Sequence, residues 1–315
     1  MGQGLLSPSF PRKDGVLNAG TVPLDALAEQ FGTPLYVYDA DVIRERYQRL
    51  ITAFAGVELL VAYSVKANGT LAILDRLCRL GAGADIVSGG ELFRARQAGV
   101  PPEKIVFAGV GKTDEEIRAG LREGIRSFHV ESEGELEQID RLAAEMKTRA
   151  PIGVRVNPDI NSPTPHEYTR TGHASSKFGI PASKAVDLYR WASTREWLVP
   201  VGIDVHIGSQ ITAPEPHALA LEAVLGVVDQ LGEMDIQLDY VDLGGGFGVR
   251  YEDSPDEMPV ERLASMVVPR IQQAGLKLIL EPGRYLVGDA GVLLTRVLGT
   301  KTNAGRTFVI VDAGM

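Results

Sequence analysis

Several residues in this sequence, each just after a short apolar run, have the side chains of a single reaction centre. Lys66 lies in Tyr63-Ser64-Val65-Lys66-Ala67-Asn68 and offers an amine. Its neighbours Ala62, Val65 and Ala67 are apolar, which predicts a desolvated amine of lowered pKa, as a Schiff-base lysine requires. His206, in His206-Ile207-Gly208-Ser209-Gln210, offers a flat imidazole with a hydroxyl nearby. Gly244-Gly245-Gly246-Phe247-Gly248 can close backbone N–H groups around a phosphate. Glu281-Pro282-Gly283-Arg284-Tyr285 supplies a carboxylate and an anion-binding guanidinium. Asp85 with Ser88, His129 with Glu131, and Arg155 with Asn157 end three further runs. Together these make an aldehyde-capturing amine, a phosphate cradle, an imidazole, a carboxylate and an arginine, the set that pyridoxal phosphate chemistry uses.

Each residue also has an ordinary reading. A lysine at a strand end is usually a solvated charge. A glycine run is often only a turn. His206 could be a satisfied buried histidine, Glu281 and Arg284 could be salt-bridge partners, and His129 and Glu131 are the members most readily read as structural. Their joint weight depends on whether the fold brings them together.

The elements that would do so are legible as apolar runs alternating with segments of helical period. Strands are predicted at Glu58–Tyr63, Ala84–Val87, Lys104–Ala108, Ser127–Val130, Ile152–Val156, Val201–His206, Tyr240–Leu243 and Lys277–Leu280. Helices are predicted at Asp41–Phe54, at Glu133–Lys147 and at His217–Leu231. Strands apolar almost throughout, alternating with helices, predict a closed α/β barrel of the (β/α)8 TIM type, over a doubly wound open sheet. In such a barrel the catalytic groups gather at the C-terminal ends of the strands. Outside it, the sequence predicts a short extended stretch at Gly15–Leu17, a helix at Pro23–Phe31, and apolar strands at Gly291–Gly299 and Arg306–Asp312.

Composition narrows the class. The chain has 315 residues, 44% hydrophobic and 23% charged, with net charge −9. That balance argues against a nucleic-acid partner, which needs concentrated Lys and Arg. No apolar run reaches the roughly 20 residues that span a bilayer, and Met1–Pro11 does not read as a signal peptide. Cys78 is the one cysteine, which suits a reducing, cytoplasmic setting. Leu74, Leu77 and Leu80 place it in an apolar helix.

The sequence resembles the barrel-type (fold type III) pyridoxal-phosphate decarboxylases, which include those acting on ornithine, arginine and diaminopimelate. The resemblance is carried by Pro34-Leu35-Tyr36-Val37-Tyr38-Asp39, Tyr63 to Asn68, Ser88-Gly89-Gly90-Glu91 and Ser176-Lys177-Phe178-Gly179. It continues through His206 to Gln210, Gly244 to Gly248, Glu281 to Arg284 and Val311-Asp312-Ala313-Gly314-Met315. His206 to Gln210, Val287 to Gly291 and the final segment look most like the diaminopimelate branch, which implies conversion of meso-2,6-diaminopimelate to L-lysine and carbon dioxide. The resemblance implies that Lys66 carries the cofactor, that His206 stacks on its ring, and that Ser209 with Gly244, Gly245 and Gly246 binds its phosphate. It implies that Glu281 faces the pyridine nitrogen, that Arg155 orients Glu281, and that Asp85 lines the pocket. Gly283 falls within the same motif, and Arg284 would bind either the phosphate or a substrate carboxylate.

The family pattern also implies that residues 1–32 and 286–315 belong to a β-domain flanking a barrel over residues 33–285, and that two subunits share their sites as a homodimer. A Cys-Glu-Ser motif and a tyrosine that the family uses from that domain are not found here, so the expectation is a truncated chain, weakly active or inactive alone, with Met1–Phe10 and Thr307–Val311 short of partners. Ornithine, arginine or another basic amino acid is the alternative substrate, with Gln210 a place where that choice would be made. A lysine Schiff-base aldolase or metal-dependent barrel, and a non-catalytic cofactor-binding relative, are the other readings.

Overall fold

The computed structural model describes residues 9–160, 172, 176–251 and 256–314. Its centre is a closed barrel of parallel strands. We number them β1 (Leu59–Ser64), β2 (Gly83–Ile86), β3 (Ile105–Phe107), β4 (Ser127–Val130), β5 (Ala150–Asn157), β6 (Leu198–Val205), β7 (Tyr240–Gly245) and β8 (Lys277–Glu281). Each pairs in parallel with the next in chain order. β8 returns to β1 through Leu278–Leu59, Ile279–Leu60 and Leu280–Val61, which closes the ring. All eight predicted strands are present, with ends displaced by a few residues.

Helices fill the crossovers, and polar side chains fix where several begin. The Ser88 hydroxyl accepts from the Glu91 N–H at the start of Gly89–Gln97, and Ser132 does the same for Glu135 at the start of Glu133–Met146. Thr113 and Glu116 form a reciprocal capping box at the start of Asp114–Glu123, satisfying N–H groups that the helix itself cannot. The predicted helices appear at Leu24–Phe31, Ala40–Ala53, Glu133–Met146 and Glu215–Gly232. Among the described residues no helix is long and apolar enough to cross a membrane.

The main core lies between strands and helices, where every strand buries one face. A second, small cluster fills the barrel itself: Ala62, Val106, Tyr240 and Ile279, with Leu60 and Val201 against it. Tyr240 occupies that space because its neighbours are small. A Cβ on Gly202 would stand 2.1 Å from the Tyr240 ring. The buried Tyr240 hydroxyl is satisfied by Ser127 Oγ at 2.5 Å and His129 Nε2 at 3.2 Å.

The segments outside the barrel differ from expectation in two respects. The apolar run Gly291–Gly299 is not one strand. Gly291–Leu294 pairs antiparallel with Leu35–Tyr38, whereas Val297–Asn303 forms a hairpin with Arg306–Val311. The break falls where the Asp312 carboxylate, rather than a neighbouring strand, accepts from the Arg296 N–H at 2.8 Å. Thr307–Val311 therefore has a backbone partner along one edge, although Phe308, Val309 and Ile310 remain 40–59% exposed. At the start, Phe10 is buried, the extended stretch belongs to three short antiparallel strands, and residues 1–8 lie outside the described residues, as does Met315. Thr33 Oγ1 bonds Asp312 Oδ2 at 2.5 Å, so the two outlying parts of the chain meet.

The Tyr240 packing gives a direct test. Gly202→Ala forces a methyl group into the ring, and overpacking of this kind costs about 1–3 kcal/mol. The denaturation midpoint should fall with an unchanged slope, whereas Gly226→Ala, at a site with open space around it, should leave the midpoint nearly in place.

Candidate active site

Lys66 sits on a single 3-10 turn, Val65–Ala67, that begins as β1 ends. Its Nζ donates to Asp85 Oδ2 at 2.8 Å, and the Ser64 hydroxyl reaches the same oxygen at 2.7 Å. Ser64 Oγ is also 3.0 Å from the Glu281 carbonyl oxygen, so β1, β2 and β8 are tied together at this point. Asp85 is wholly buried, and burial opposes its charge. Lys66 and the Ser64 hydroxyl outweigh burial, leaving its pKa below the ordinary carboxylate value. The expected lowering of the Lys66 pKa is corrected here. Desolvation does work in that direction, but Asp85 and Glu281 dominate and raise it. Apolar sequence neighbours set only the desolvation, whereas the charges that decide the outcome come from other strands. The Lys66 side chain is 50% exposed, facing a cavity of about 550 Å³ at the barrel mouth.

His206 follows β6 and lines the same cavity. Its Nδ1 accepts the Gly245 N–H at 3.1 Å, which places the proton of the neutral ring on Nε2. Burial, then Arg155 and Lys66, hold its pKa well below the usual histidine range, so the ring is uncharged at neutral pH.

The glycine run after β7 is a cradle that no side chain could share. Gly244 and Gly246 have φ of +68° and +79°, the left-handed region. A Cβ on Gly245 would stand 1.9 Å from the Glu281 carbonyl oxygen, and one on Gly246 2.0 Å from that of Gly208. His217 braces the loop from behind, with Nε2 2.9 Å from the Gly245 oxygen. Arg284 leans over this end: its Nη2 is 3.3 Å from Ser209 Oγ, and its Nη1 is 3.2 Å from the Tyr251 hydroxyl. Gln210 is buried with φ +62°, bonds Val249 through both ends of its amide and holds Arg284 Nη1 at 3.3 Å. It braces the arginine.

Glu281 ends β8, beside the glycine loop, and lines the same cavity, 5% exposed, with no hydrogen-bond partner for Oε1. Burial, then Asp242, Asp85 and Asp204, raise its pKa well above the ordinary carboxylate value. Arg155 does not reach it. Its guanidinium binds Glu131 Oε1 at 3.2 Å and lies 3.8 Å from Asp204, because β5 adjoins β4 and β6 while β8 lies across the barrel. Glu131 accepts in addition from the N–H groups of Gly109 and Gly179, so it fastens two rim loops to Arg155. Gly283 packs against the lysine turn; a Cβ there would meet Ser64 Cβ at 3.0 Å and Ala67 Cβ at 3.1 Å.

The structure thus gathers Lys66, His206, Ser209, Gly246, Glu281, Gly283 and Arg284 on one cavity wall, with Asp85 and Arg155 buried behind them. Sequence reasoning missed Tyr36 and Tyr38, which line the cavity from a strand outside the barrel. It also missed Asp204 and Asp242, wholly buried near His129 and Glu281. The available signal was an aspartate inside an otherwise apolar strand, in Ile203-Asp204-Val205 and Val241-Asp242-Leu243. The residues fit pyridoxal phosphate: a loop without side chains, an amine, and a buried carboxyl oxygen with no protein donor line or adjoin one cavity.

Comparison with known proteins agrees with this geometry. Residues 40–288 match the family described as "Pyridoxal-dependent decarboxylase, pyridoxal binding domain". The chain is 45% identical over 307 residues to diaminopimelate decarboxylase of Pseudomonas aeruginosa, covering 98% of this chain and 74% of that one. The crystal structure of diaminopimelate decarboxylase from M. jannaschii with L-lysine superposes with a TM-score of 0.91 at 38% identity, covering 98% of this chain and 74% of that one. A lysine/ornithine decarboxylase from Vibrio vulnificus, complexed with cadaverine, gives 0.78 at 26% identity, over 92% of this chain and 73% of that one. The closed parallel barrel, the lysine and glycine loop at its mouth and the match over residues 40–288 lead to one assignment: this chain belongs to the pyridoxal-dependent decarboxylases.

Proposed function

We propose that the chain removes the carboxylate of meso-2,6-diaminopimelate as carbon dioxide, leaving L-lysine, with pyridoxal phosphate held on Lys66. The observation that carries the site reading is the placement of the Lys66 amine, the side-chain-free glycine loop and the orphaned Glu281 oxygen around one cavity. The choice of substrate is supported by similarity: 38–45% identity to two diaminopimelate decarboxylases, against 26% to a lysine/ornithine enzyme.

When bound, pyridoxal phosphate supplies an aldehyde that captures amines and a pyridine ring that accepts the electron pair left by departing carbon dioxide. The protein's part follows from its own groups. Lys66 must lose a proton before it can act as a nucleophile, and until it does Asp85 Oδ2 at 2.8 Å holds the charged amine at the cavity. The glycine-loop N–H groups, Ser209 and Arg284 form the anion-binding end, where Gln210 and Tyr251 keep the guanidinium aimed. The uncharged His206 ring offers a flat face without a competing charge. Glu281, once ionised, stabilises a positive charge on the ring nitrogen, and opposite charge at that point strengthens electron withdrawal. The same resemblance supports a symmetric dimer in the cytoplasm, and a β-domain built from residues 1–32 and 286–315, whose first part the pairing of Gly291–Leu294 with Leu35–Tyr38 extends past residue 32.

Three measurements test the reading. Borohydride reduction followed by peptide mass spectrometry should find the cofactor on the peptide carrying Lys66, and Lys66→Ala should abolish both the adduct and the yellow colour. Arg284→Ala should weaken retention of pyridoxal phosphate by about tenfold or more, a loss of about 1.4 kcal/mol, while leaving pyridoxal without its phosphate unaffected. An equal loss for both forms would assign Arg284 elsewhere. Carbon dioxide release from a panel of diaminopimelate, lysine, ornithine and arginine should favour diaminopimelate by about a hundredfold in kcat/KM, as expected where a polar substrate group has dedicated partners. Preference for ornithine would overturn the substrate assignment.

A further inference from the structure

The inside of the barrel below the cavity holds more acid than its cations can balance. Around one small volume stand Asp85 on β2, Glu131 just after β4, Asp204 on β6, Asp242 on β7 and Glu281 on β8, five carboxyl groups. Facing them are the Lys66 amine and the Arg155 guanidinium, two cations. Full ionisation would leave an excess of three negative charges (five less two). His129 on β4 does not offset it, because burial pushes its pKa down to about 3. Asp85 already has its counterion in Lys66, and Glu131 has Arg155. That leaves Asp204, Asp242 and Glu281.

Asp204 lies 3.8 Å from Arg155, whereas among the described residues Asp242 and Glu281 have no cation that close. The hydrogen bonds of Asp242 show how it is held. Its Oδ1 accepts the Gly244 N–H at 2.9 Å, which fixes the carboxyl plane. Its Oδ2 is fully buried and has no donor, and Glu281 Oε1 is equally without one, although one carboxyl oxygen of each residue lies within 4.8 Å of the other. His129 stands 4.0 Å from Asp242 Oδ2 and 3.8 Å from Glu281 Oε1, too far to donate. Two buried carboxylates this close repel unless a proton is held between them.

We propose that Asp242 and Glu281 share one proton, and that Asp242 is the positioning residue that keeps it when Glu281 ionises toward the cofactor. The proton passes between two oxygens, so one O–H bond breaks as another forms and no further reactant is needed. Asp242 then donates to Glu281, holding that carboxylate in place while its Oδ1 keeps the glycine loop folded. The functional part rests on Glu281 facing the ring nitrogen, but the proton itself belongs to the cofactor-free chain and is tested there. The raised pKa of Asp242, pushed up to about 7 chiefly by burial, agrees with this geometry.

The sign of the pH dependence follows. An acid whose folded pKa lies above its unfolded one holds extra protons in the folded state, so stability falls as pH rises from the unfolded pKa to the folded one, here from about 4 to about 7. Asn mimics the protonated acid, with Oδ1 for Gly244 and Nδ2 for Glu281. In cofactor-free protein the Tm difference, Asp242→Asn minus wild type, should therefore widen by about 5 °C between pH 5 and pH 7. Infrared spectra of the cofactor-free wild type at pH 6 should contain buried protonated-carboxyl intensity that declines by pH 9, and Asp242→Asn should remove the declining part. In loaded protein Asp242→Asn should keep the cofactor absorbance, whereas Asp242→Leu, which cannot donate, should lose it. No protonated band at pH 6, or one divalent cation per chain by elemental analysis, would overturn the proposal. Neither result bears on Lys66, whose adduct is measured separately.

Discussion

Return of β8 to β1 turns a set of strand ends into a single mouth. Parallel strands all finish on the same side, so once the ring closes, whatever follows each strand converges. The closed ring is also apolar at its centre, where Tyr240, Ile279, Val106 and Ala62 fill it beneath the polar groups of the mouth. Charges in that position are costly unless partnered. The pairs Lys66–Asp85 and Arg155–Glu131 meet that demand, each joining neighbouring strands, so the electrostatics of the site and the order of the sheet express one constraint.

The same apolar floor divides the site into distinct surroundings. Around the glycine loop the protein presents backbone donors, a hydroxyl and a guanidinium braced by Gln210 and Tyr251. Beside them stands an imidazole kept neutral by burial and by the cations around it. Near the end of β8 carboxyl groups outnumber available cations.

Much of this was legible in the sequence. The strands could be read because a strand covered on both faces is apolar along its length, and Lys66, His206, Glu281 and the glycines stood out by interrupting that pattern. What could not be read depended on distance across the ring. Asp242 lies within a strand between Val241 and Leu243, where one polar residue resembles noise, and only the folded ring brings it within 4.8 Å of Glu281. Arg155 was matched with Glu281 through the resemblance, whereas its strand adjoins those that carry Glu131 and Asp204. The charge on Lys66 went in the opposite direction from its local surroundings because Asp85 and Glu281 arrive from elsewhere. The split at Thr295–Arg296 depends on Asp312, which sequence periodicity cannot connect to it.

The absence of a side chain at Gly245 has a mechanical consequence. With only a hydrogen there, the loop lies directly against the Glu281 carbonyl, and the Gly245 oxygen is pinned from the other side by His217. The glycine loop and the strand end that carries Glu281 are therefore in direct backbone contact, a distance that side-chain repacking does not set. The wall that side chains can reshape lies on the Tyr36–Tyr38 side, where the lining comes from a separate strand.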